Sequence, residues 1–148
     1  MRTIEEIKQI VEHGCKILMN YGYKCNVSAE ELVTYFEADT YEEDLITLDD
    51  VLKNQLLVIH ELVEITELKK RGLKITKDVI VKNYELVYEA HLIATEIELE
   101  IASLNGNMGH IKNRLLHIQS WLEDLNLPKH LFKKCKQLLE KAKQMSNK

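Results

Sequence analysis

Apolar side chains recur every three to four positions along most of this chain, the spacing that places them on one face of an α-helix. Between the apolar positions lie charged residues, mostly Glu and Lys, as expected for a helix with one solvent-facing side. The pattern predicts helices at about 4–20, 29–37, 48–71, 77–104, 109–125 and 128–145. A further short helical turn is expected near 41–44.

Residues typical of helix ends support these boundaries. Hydroxyl side chains that can cap a first turn precede four of the helices, and a glycine that can adopt the left-handed conformation follows three of them. These residues are Thr3, Ser28, Thr47 and Thr76 at the starts, and Gly22, Gly72 and Gly106 at the ends. Pro128 suits the first turn of the last helix.

The two longest predicted helices are separated by only a short connection after Gly72, so we expect them to pack as an antiparallel hairpin. Five glycines and one proline in 148 residues are few for an all-β chain, which needs many tight turns. We therefore predict an all-α fold. It is a single domain, 1–148, in which about five to six helices form a bundle around the hairpin of 48–71 and 77–104.

Charge is unevenly distributed, with a net value of −4 that argues against a general nucleic-acid binder. The segment 37–50 has seven acidic residues and no basic one, whereas 129–148 has seven lysines and one glutamate. Two oppositely charged faces of a solvated domain are the preferred explanation, and an interaction surface, including one for a second copy of the chain, is the alternative.

The cysteines and the N-terminus favour a cytoplasmic location. Cys15, Cys25 and Cys135 are widely spaced and odd in number, which suggests free thiols in a reducing compartment. The first residues include early acidic side chains without a continuous apolar stretch, unlike a signal peptide. Since no run approaches the ~20 apolar residues that span a bilayer, we expect no membrane association.

A polar arc on the predicted helix 48–71 looks solvent-exposed. It contains Asp49, Lys53, His60, Glu64, Glu67 and Arg71. His60 and Glu64 are one turn apart and could be metal ligands, but their arc is the most polar on the helix, so exposure is preferred. Glu61 differs, because it points between apolar positions and Asn54 lies two turns below it.

The predicted helix 77–104 has two apolar faces, and polar side chains interrupt one of them. His91, Thr95 and Glu98 are spaced i, i+4, i+7 on that face, so they line up one above another. Buried charges are normally paired or bind a metal, so Glu61 and Glu98 require partners. His91 and Thr95 are the nearest candidates, and further hydrogen bonds could come from Asn54, Tyr84 or Tyr88.

Three interpretations of this polar group remain open. It is a structural hydrogen-bond network, a site for a divalent cation such as Mg²⁺, Mn²⁺ or Zn²⁺, or an exposed set misplaced by an error in helix phase. In the metal hypothesis, Glu61, His91 and Glu98 are ligands or their near neighbours, and Glu64 is a weaker member. The corresponding function is a small metal-binding protein able to activate water for hydrolysis. The rival is a non-enzymatic helical interaction or oligomerisation module.

Two short strings resemble motifs of phosphohydrolases. The string from His60 to Glu64 resembles the central motif of HD-domain phosphohydrolases, with Glu61 in place of the usual Asp. The pair Glu61 and Glu64 also resembles half of the Mg²⁺ site of all-α nucleotide pyrophosphohydrolases. Each resemblance covers only a few of the 148 residues, so no family is assigned. What they imply is metal-dependent phosphohydrolase activity.

A last candidate is a basic and aromatic face on the predicted helix 109–125. It consists of His110, Arg114, His117 and Trp121, spaced i, i+4, i+7, i+11. Together with the lysine-rich last helix, it could hold phosphates or RNA. An ordinary exposed face with a half-buried Trp is the preferred interpretation.

Overall fold

The computed structural model describes residues 2–40 and 46–147, and every regular element in these two stretches is helical. The all-α prediction is therefore confirmed, although the helix count differs. The helices are α1 (Ile4–Tyr21), α2 (Ala29–Phe36), α3 (Leu48–Leu52), α4 (Gln55–Lys70), α5 (Val79–Lys82), α6 (Tyr84–Leu104), α7 (Met108–Leu122) and α8 (Phe132–Ser146). A 3₁₀ turn, Lys129–Leu131, precedes α8. The helical turn expected near 41–44 lies outside the described residues.

Asn54 divides the helix predicted at 48–71. Its backbone is extended (φ −119°, ψ 107°), and its side-chain oxygen accepts hydrogen bonds from the amides of Leu56 and Leu57. This is N-cap geometry, so α3 ends before Asn54 and α4 begins after it. The prediction of one continuous helix is wrong here because the Asn54 side chain caps a new helix within an otherwise apolar pattern.

A second asparagine divides the helix predicted at 77–104. Asn83 leaves helical geometry (φ −131°, ψ 40°), and its side-chain amide donates to the carbonyl of Val79 at 2.9 Å. The Asn83 side chain therefore bonds back to α5 at the end of that short helix, and the long α6 begins at Tyr84.

The other predicted helix ends are largely correct. Ser28 and Glu31 form a reciprocal capping box at the start of α2, and Thr47 with Asp50 does the same for α3. Gly22 ends α1 with φ 109°, a left-handed value that only glycine adopts without strain.

Helices α4 and α6 form the predicted antiparallel hairpin at the centre of the bundle. His60 contacts Glu98, and Arg71 near the other end contacts Glu89, so residue numbers fall on α6 as they rise on α4. Helices α1, α2 and α3 pack against α4, whereas α7 and α8 pack against α6 and against each other. Leu62 of α4 is one of the fully buried side chains that join these two groups.

Gly14 allows α1 to approach α4 closely. A Cβ at this position would lie 2.7 Å from Leu62 Cδ1 and 3.3 Å from Val58 Cγ1. Both distances are shorter than ordinary carbon contacts, so the two helices could not pack as they do with alanine at position 14.

Two of the cysteines form a disulfide, contrary to the expectation of three free thiols. Cys15 on α1 is bonded to Cys25 in the α1–α2 connection, with the Cα atoms 5.3 Å apart. The bond fastens the end of α1 to the segment that leads into α2. Cys135 is a free, buried thiol, as expected of a small apolar core residue.

No helix in the two described stretches combines the length and apolar content that a membrane crossing requires.

Candidate metal centre

The polar arc of α4 faces the interior. His60 and Glu64 are only 3% and 6% exposed, and Glu67 is also buried. The prediction that these three side chains are solvated is therefore wrong. Asp49 lies on α3 and Lys53 is its C-cap, so the directions of these two members of the predicted arc do not carry across the break at Asn54.

Three potential ligand atoms meet between α4 and α6. His60 Nε2, Glu64 Oε1 and His91 Nδ1 form a nearly equilateral triangle. The His60–His91 distance is 3.1 Å, the His91–Glu64 distance is 3.0 Å and the His60–Glu64 distance is 3.3 Å. His60 and Glu64 are one turn apart on α4, and His91 comes from the facing side of α6.

With Glu64 ionised, no placement of protons on the two imidazole rings makes all three of these contacts favourable. If both rings donate inwards to the carboxylate of Glu64, two N–H groups face each other at 3.1 Å. If only His60 donates, the lone pairs of His91 Nδ1 and Glu64 Oε1 face each other at 3.0 Å. A cation held by all three lone pairs removes this conflict.

Glu98 is hydrogen-bonded to Nδ1 of His60, the ring nitrogen that is not part of the triangle. Its Oε1 lies 2.8 Å from His60 Nδ1, and its carboxylate also receives two hydrogen bonds from Arg114, of 2.7 and 2.9 Å. His110 Nε2 makes a further short contact with Oε2. Because Glu98 is fully buried and engaged on both oxygens, it orients His60 instead of facing the triangle.

The pKa values reflect this arrangement of charges. Burial alone would lower the pKa of His60, but Glu64 and Glu98 on either side raise it to about 10. Burial would likewise raise the pKa of Glu98, yet hydrogen bonds from His110, His60 and Arg114 hold it well below its ordinary value. The metal-free cluster therefore contains an imidazolium between two carboxylates.

Tyr35 of α2 positions Glu64. Its hydroxyl donates a short hydrogen bond to Glu64 Oε2, which leaves Oε1 directed towards the two histidines. Burial opposes ionisation of Glu64, but hydrogen bonds from His60 and His91 hold its pKa far below the ordinary value. Burial and the neighbouring charge of Glu64 raise the pKa of Tyr35, so its phenol keeps its proton.

His91 lies at the wall of an open cleft. Its side chain is 28% exposed, and its ring meets that of Trp121 edge-on at 4.4 Å between centroids. Burial lowers its pKa and so favours the neutral ring, which donates from Nδ1 to Glu64 in one tautomer and offers a lone pair from Nδ1 in the other, with its proton on Nε2. A volume of about 760 Å³ opens next to the triangle, and residues from α2, α4, α6 and α7 line it.

Glu61 is half-buried and lines the same cleft, one residue after His60. Burial and the charge of Glu64 raise its pKa to about 8, and no hydrogen bond from a described residue contributes to that value. Among the carboxyl groups of this cluster, Glu61 is thus the one that accepts no hydrogen bond from a described residue and can bind another group in the cleft.

The sequence-predicted site residues fall into two groups. His91, Glu61 and Glu64 reach the cleft around the triangle, and Glu98 lies directly behind it. The predicted supporting residues have other partners. Thr95 donates to the carbonyl of His91, Asn54 caps α4, Tyr84 donates to the carbonyl of Asn126, and Tyr88 contacts Asp124. His60 is the residue that sequence reasoning assigned to solvent and the structure places at the centre.

The predicted basic face of α7 also contributes to this cleft. His110 and Arg114 are each only 12% exposed and are tied to Glu98, so an ordinary exposed face is a wrong description of them. Trp121 is half-buried, as expected, and His117 is exposed. All four residues therefore line the cleft that opens beside the triangle, and His110 and Arg114 contact Glu98 behind it.

No protein-family model, curated protein or solved structure matches the chain. A functional assignment therefore depends on the chemistry of this site.

Proposed function

We propose that the protein binds one divalent transition-metal ion through His60 Nε2, Glu64 Oε1 and His91 Nδ1 and uses it to hydrolyse phosphate esters. The observation that supports metal binding is the triangle of three ligand atoms, with sides of 3.0, 3.1 and 3.3 Å, beside an open cleft.

The size of the triangle suits such an ion. With metal–ligand bonds of about 2.1 Å, neighbouring ligands lie about 3.0 Å apart in an octahedral site and about 3.4 Å apart in a tetrahedral one. The three distances between His60, Glu64 and His91 fall between or at these limits. An ion held by these three atoms would have further coordination positions for water.

The ligand types favour particular metals. Two imidazole nitrogens and one carboxylate oxygen suit Mn²⁺, Fe²⁺, Co²⁺ or Zn²⁺ better than Mg²⁺, which prefers oxygen ligands. The contact between Glu98 and His60 Nδ1 is the carboxylate–histidine support found behind many metal ligands. Binding displaces the proton from His60 Nε2 and thus releases it to solvent.

The proposed reaction consumes one water molecule. A metal ion held by His60, Glu64 and His91 would acidify a coordinated water, whose oxygen would bond to phosphorus as the phosphorus–oxygen bond to the leaving group breaks; the proton that the water loses balances the proton that the leaving oxygen takes up. Glu61 lines the cleft one residue after His60, and we assign it the role of hydrogen-bonding that water. No oxidant or further cofactor is required.

Metal titration tests the first half of this proposal. Protein depleted of metal with EDTA should bind one equivalent of Mn²⁺, Co²⁺ or Zn²⁺ by isothermal titration calorimetry. At a free concentration of about 100 times Kd, the metal stabilises the fold by about 2.7 kcal/mol. For a chain of this size that raises the Tm by roughly 5–11 °C.

Variants connect the binding to the site. Glu64→Gln and His91→Ala should each abolish or severely weaken binding, whereas His130→Ala removes an exposed histidine away from the cleft and should not. Absence of binding by the parent protein, or binding that the two site variants leave unchanged, would refute the metal centre.

Activity tests the second half. Metal-loaded protein should hydrolyse 4-nitrophenyl phosphate, and Glu61→Gln should reduce kcat more than it reduces metal affinity. If the metal binds at the triangle and the ester is not hydrolysed, the protein is a metal-binding module and not a phosphohydrolase.

The remaining functional hypotheses stay predictions. A purely structural network is supported by the fact that every buried side-chain polar atom among the described residues has a partner. A cytoplasmic location and association with a second copy also stay predictions. So does RNA binding by the basic C-terminal region. Metal titration separates the first of these from the metal centre, because a structural network gives no metal-dependent rise in Tm.

A further inference from the structure

The cleft beside the metal-ligand triangle has two chemically different walls, which adjoin at α7, where the Arg114 guanidinium lies over the Trp121 ring at 6.0 Å from its centroid. Aromatic rings line one wall in a continuous row. Tyr84 meets Tyr88 at 5.8 Å between centroids, Tyr88 meets His91 at 6.2 Å, and His91 meets Trp121 at 4.4 Å. All three contacts in this row are edge-on, a geometry that does not stack the rings of the row face to face.

The other wall presents hydrogen-bond donors for an anion. Arg114 donates hydrogen bonds from Nε and Nη2 to Glu98, and its Nη1 lies 3.2 Å from His117 Nδ1. An arginine can only donate, so His117 Nδ1 accepts this bond and its proton is on Nε2. His117 is exposed and lines the cleft, so that N–H is available to an oxygen of a bound group.

The triangle lies where the two walls meet. His91 belongs both to the aromatic row and to the metal ligands, and Glu98 joins Arg114 to the metal ligand His60. A ligand whose phosphoryl group sits on the metal would therefore share the cleft with the His117 donor and with the Trp121 ring, which lie one helical turn apart on α7.

We infer that the natural ligand of this cleft is a phosphate ester that carries a planar aromatic ring, with its phosphate between the metal and the Arg114–His117 pair and its ring against Trp121. This assignment rests on the proposed function, because it places the phosphate on the metal. The ring belongs to an aryl phosphate or to the base of a nucleotide, which share the same chemistry.

A matched pair of stable phosphonates tests the inference. Phenylphosphonate and methylphosphonate carry the same acid group, differ in the aromatic ring, and resist hydrolysis because phosphorus is bonded to carbon. Calorimetric titration into the Mn²⁺-loaded protein should give phenylphosphonate an affinity at least about ten-fold higher, in line with the contribution of stacking on an aromatic side chain. Equal affinities would overturn the inference.

Two variants test which wall contacts the aromatic ring of the ligand and which contacts its acid group. Trp121→Leu should remove the preference for phenylphosphonate and leave methylphosphonate binding unchanged, whereas His117→Ala should weaken both compounds by a similar factor. Trp121 is half-buried and His117 exposed, and circular dichroism verifies that each variant folds. A preference that persists in Trp121→Leu would contradict the proposed position of the ring.

Nucleotide and aryl sources are separated by a second pair, adenosine 5′-monophosphate and ribose 5-phosphate. A larger advantage for the base-bearing member than for phenylphosphonate identifies a nucleotide, and a smaller one identifies an aryl phosphate.

Separate titrations distinguish a failure of this inference from a failure of the metal proposal. Mn²⁺ affinity is measured first, without phosphonate, and all titrations are repeated on the metal-free protein. If Mn²⁺ binds and both phosphonates bind equally, only the inference fails. If Mn²⁺ does not bind, the proposed function fails, and the inference, which places the phosphate on the metal, fails with it.

Discussion

Replacing Glu98 with glutamine tests the support behind the metal ligands. Glu98 is fully buried and receives hydrogen bonds from Arg114 and contacts from His60 and His110. Glutamine is the same size but loses the negative charge and offers an N–H₂ group where two donors already point. Arg114 is then left largely buried without its counter-charge.

The magnitude follows from that loss. Removing one member of a buried ion pair costs about 3–5 kcal/mol, because the other charge stays uncompensated. For a chain of this size the loss lowers the Tm by roughly 6–20 °C. His60 also loses the acceptor that orients its ring, and losses of this kind weaken metal affinity by about 10- to 100-fold.

Glu96→Gln provides the matched control on the same helix. Glu96 is exposed, and its contact is a 3.7 Å ion pair with Lys141, so its loss should change stability by less than about 0.5 kcal/mol. Chemical denaturation measures both free energies of unfolding, and calorimetry measures both metal affinities. If Glu98→Gln is as stable as Glu96→Gln, Glu98 is not the buried counter-charge described above.

Other predictions concern the frame around the site. Gly14→Ala should destabilise the protein by about 1–2 kcal/mol, because its Cβ would lie 2.7 Å from a buried leucine carbon. Gly109→Ala, whose Cβ meets nothing closer than 3.9 Å, should be neutral or stabilise by up to about 1 kcal/mol, and urea unfolding compares the two. Cys25→Ser should cost about 2.7 kcal/mol without reductant, given a sequence separation of 10, and the difference should vanish when both proteins are reduced. Burial raises the pKa of Glu31, but hydrogen bonds from Ser28 and Lys69 bring it below 4.5. Its contribution to stability is therefore complete above that pH and is lost as pH falls. Glu31→Gln should accordingly differ from the parent in Tm near neutral pH and converge with it in acid.

Local signals in the sequence were sufficient for most helix boundaries. The Ser28 cap and the Gly22 stop depend on hydrogen bonds and dihedral angles within a few residues of themselves, so the sequence contains all the information needed. Asn54 also depends on local hydrogen bonds, and the division at that residue was predictable from its side chain. Its apolar neighbours favoured a continuous helix and concealed the cap.

Helical periodicity could group the polar residues but could not decide which group faces solvent. It placed His60, Glu64 and Glu67 correctly on one stripe of α4. The polarity of the whole arc favours solvent only if its six residues belong to one helix, and the break at Asn54 separates Asp49 and Lys53 from the other four. An angular position within a helix fixes a direction only relative to residues of the same helix.

Partner stripes on other helices supply the missing information. When only one helix is considered, a row of His and Glu at helical spacing is equally compatible with exposure to solvent and with burial. Here α4, α6 and α7 each carry such a row, and four of the chain's six histidines, His60, His91, His110 and His117, line one cleft. Burying Glu64 and Glu98 is tolerable only because the other helices bring donors to them. The concentration of imidazoles opposite carboxylates on three separate helices is therefore the sequence feature that indicates a shared site, and it identifies His60 as a member where periodicity alone assigns it to solvent.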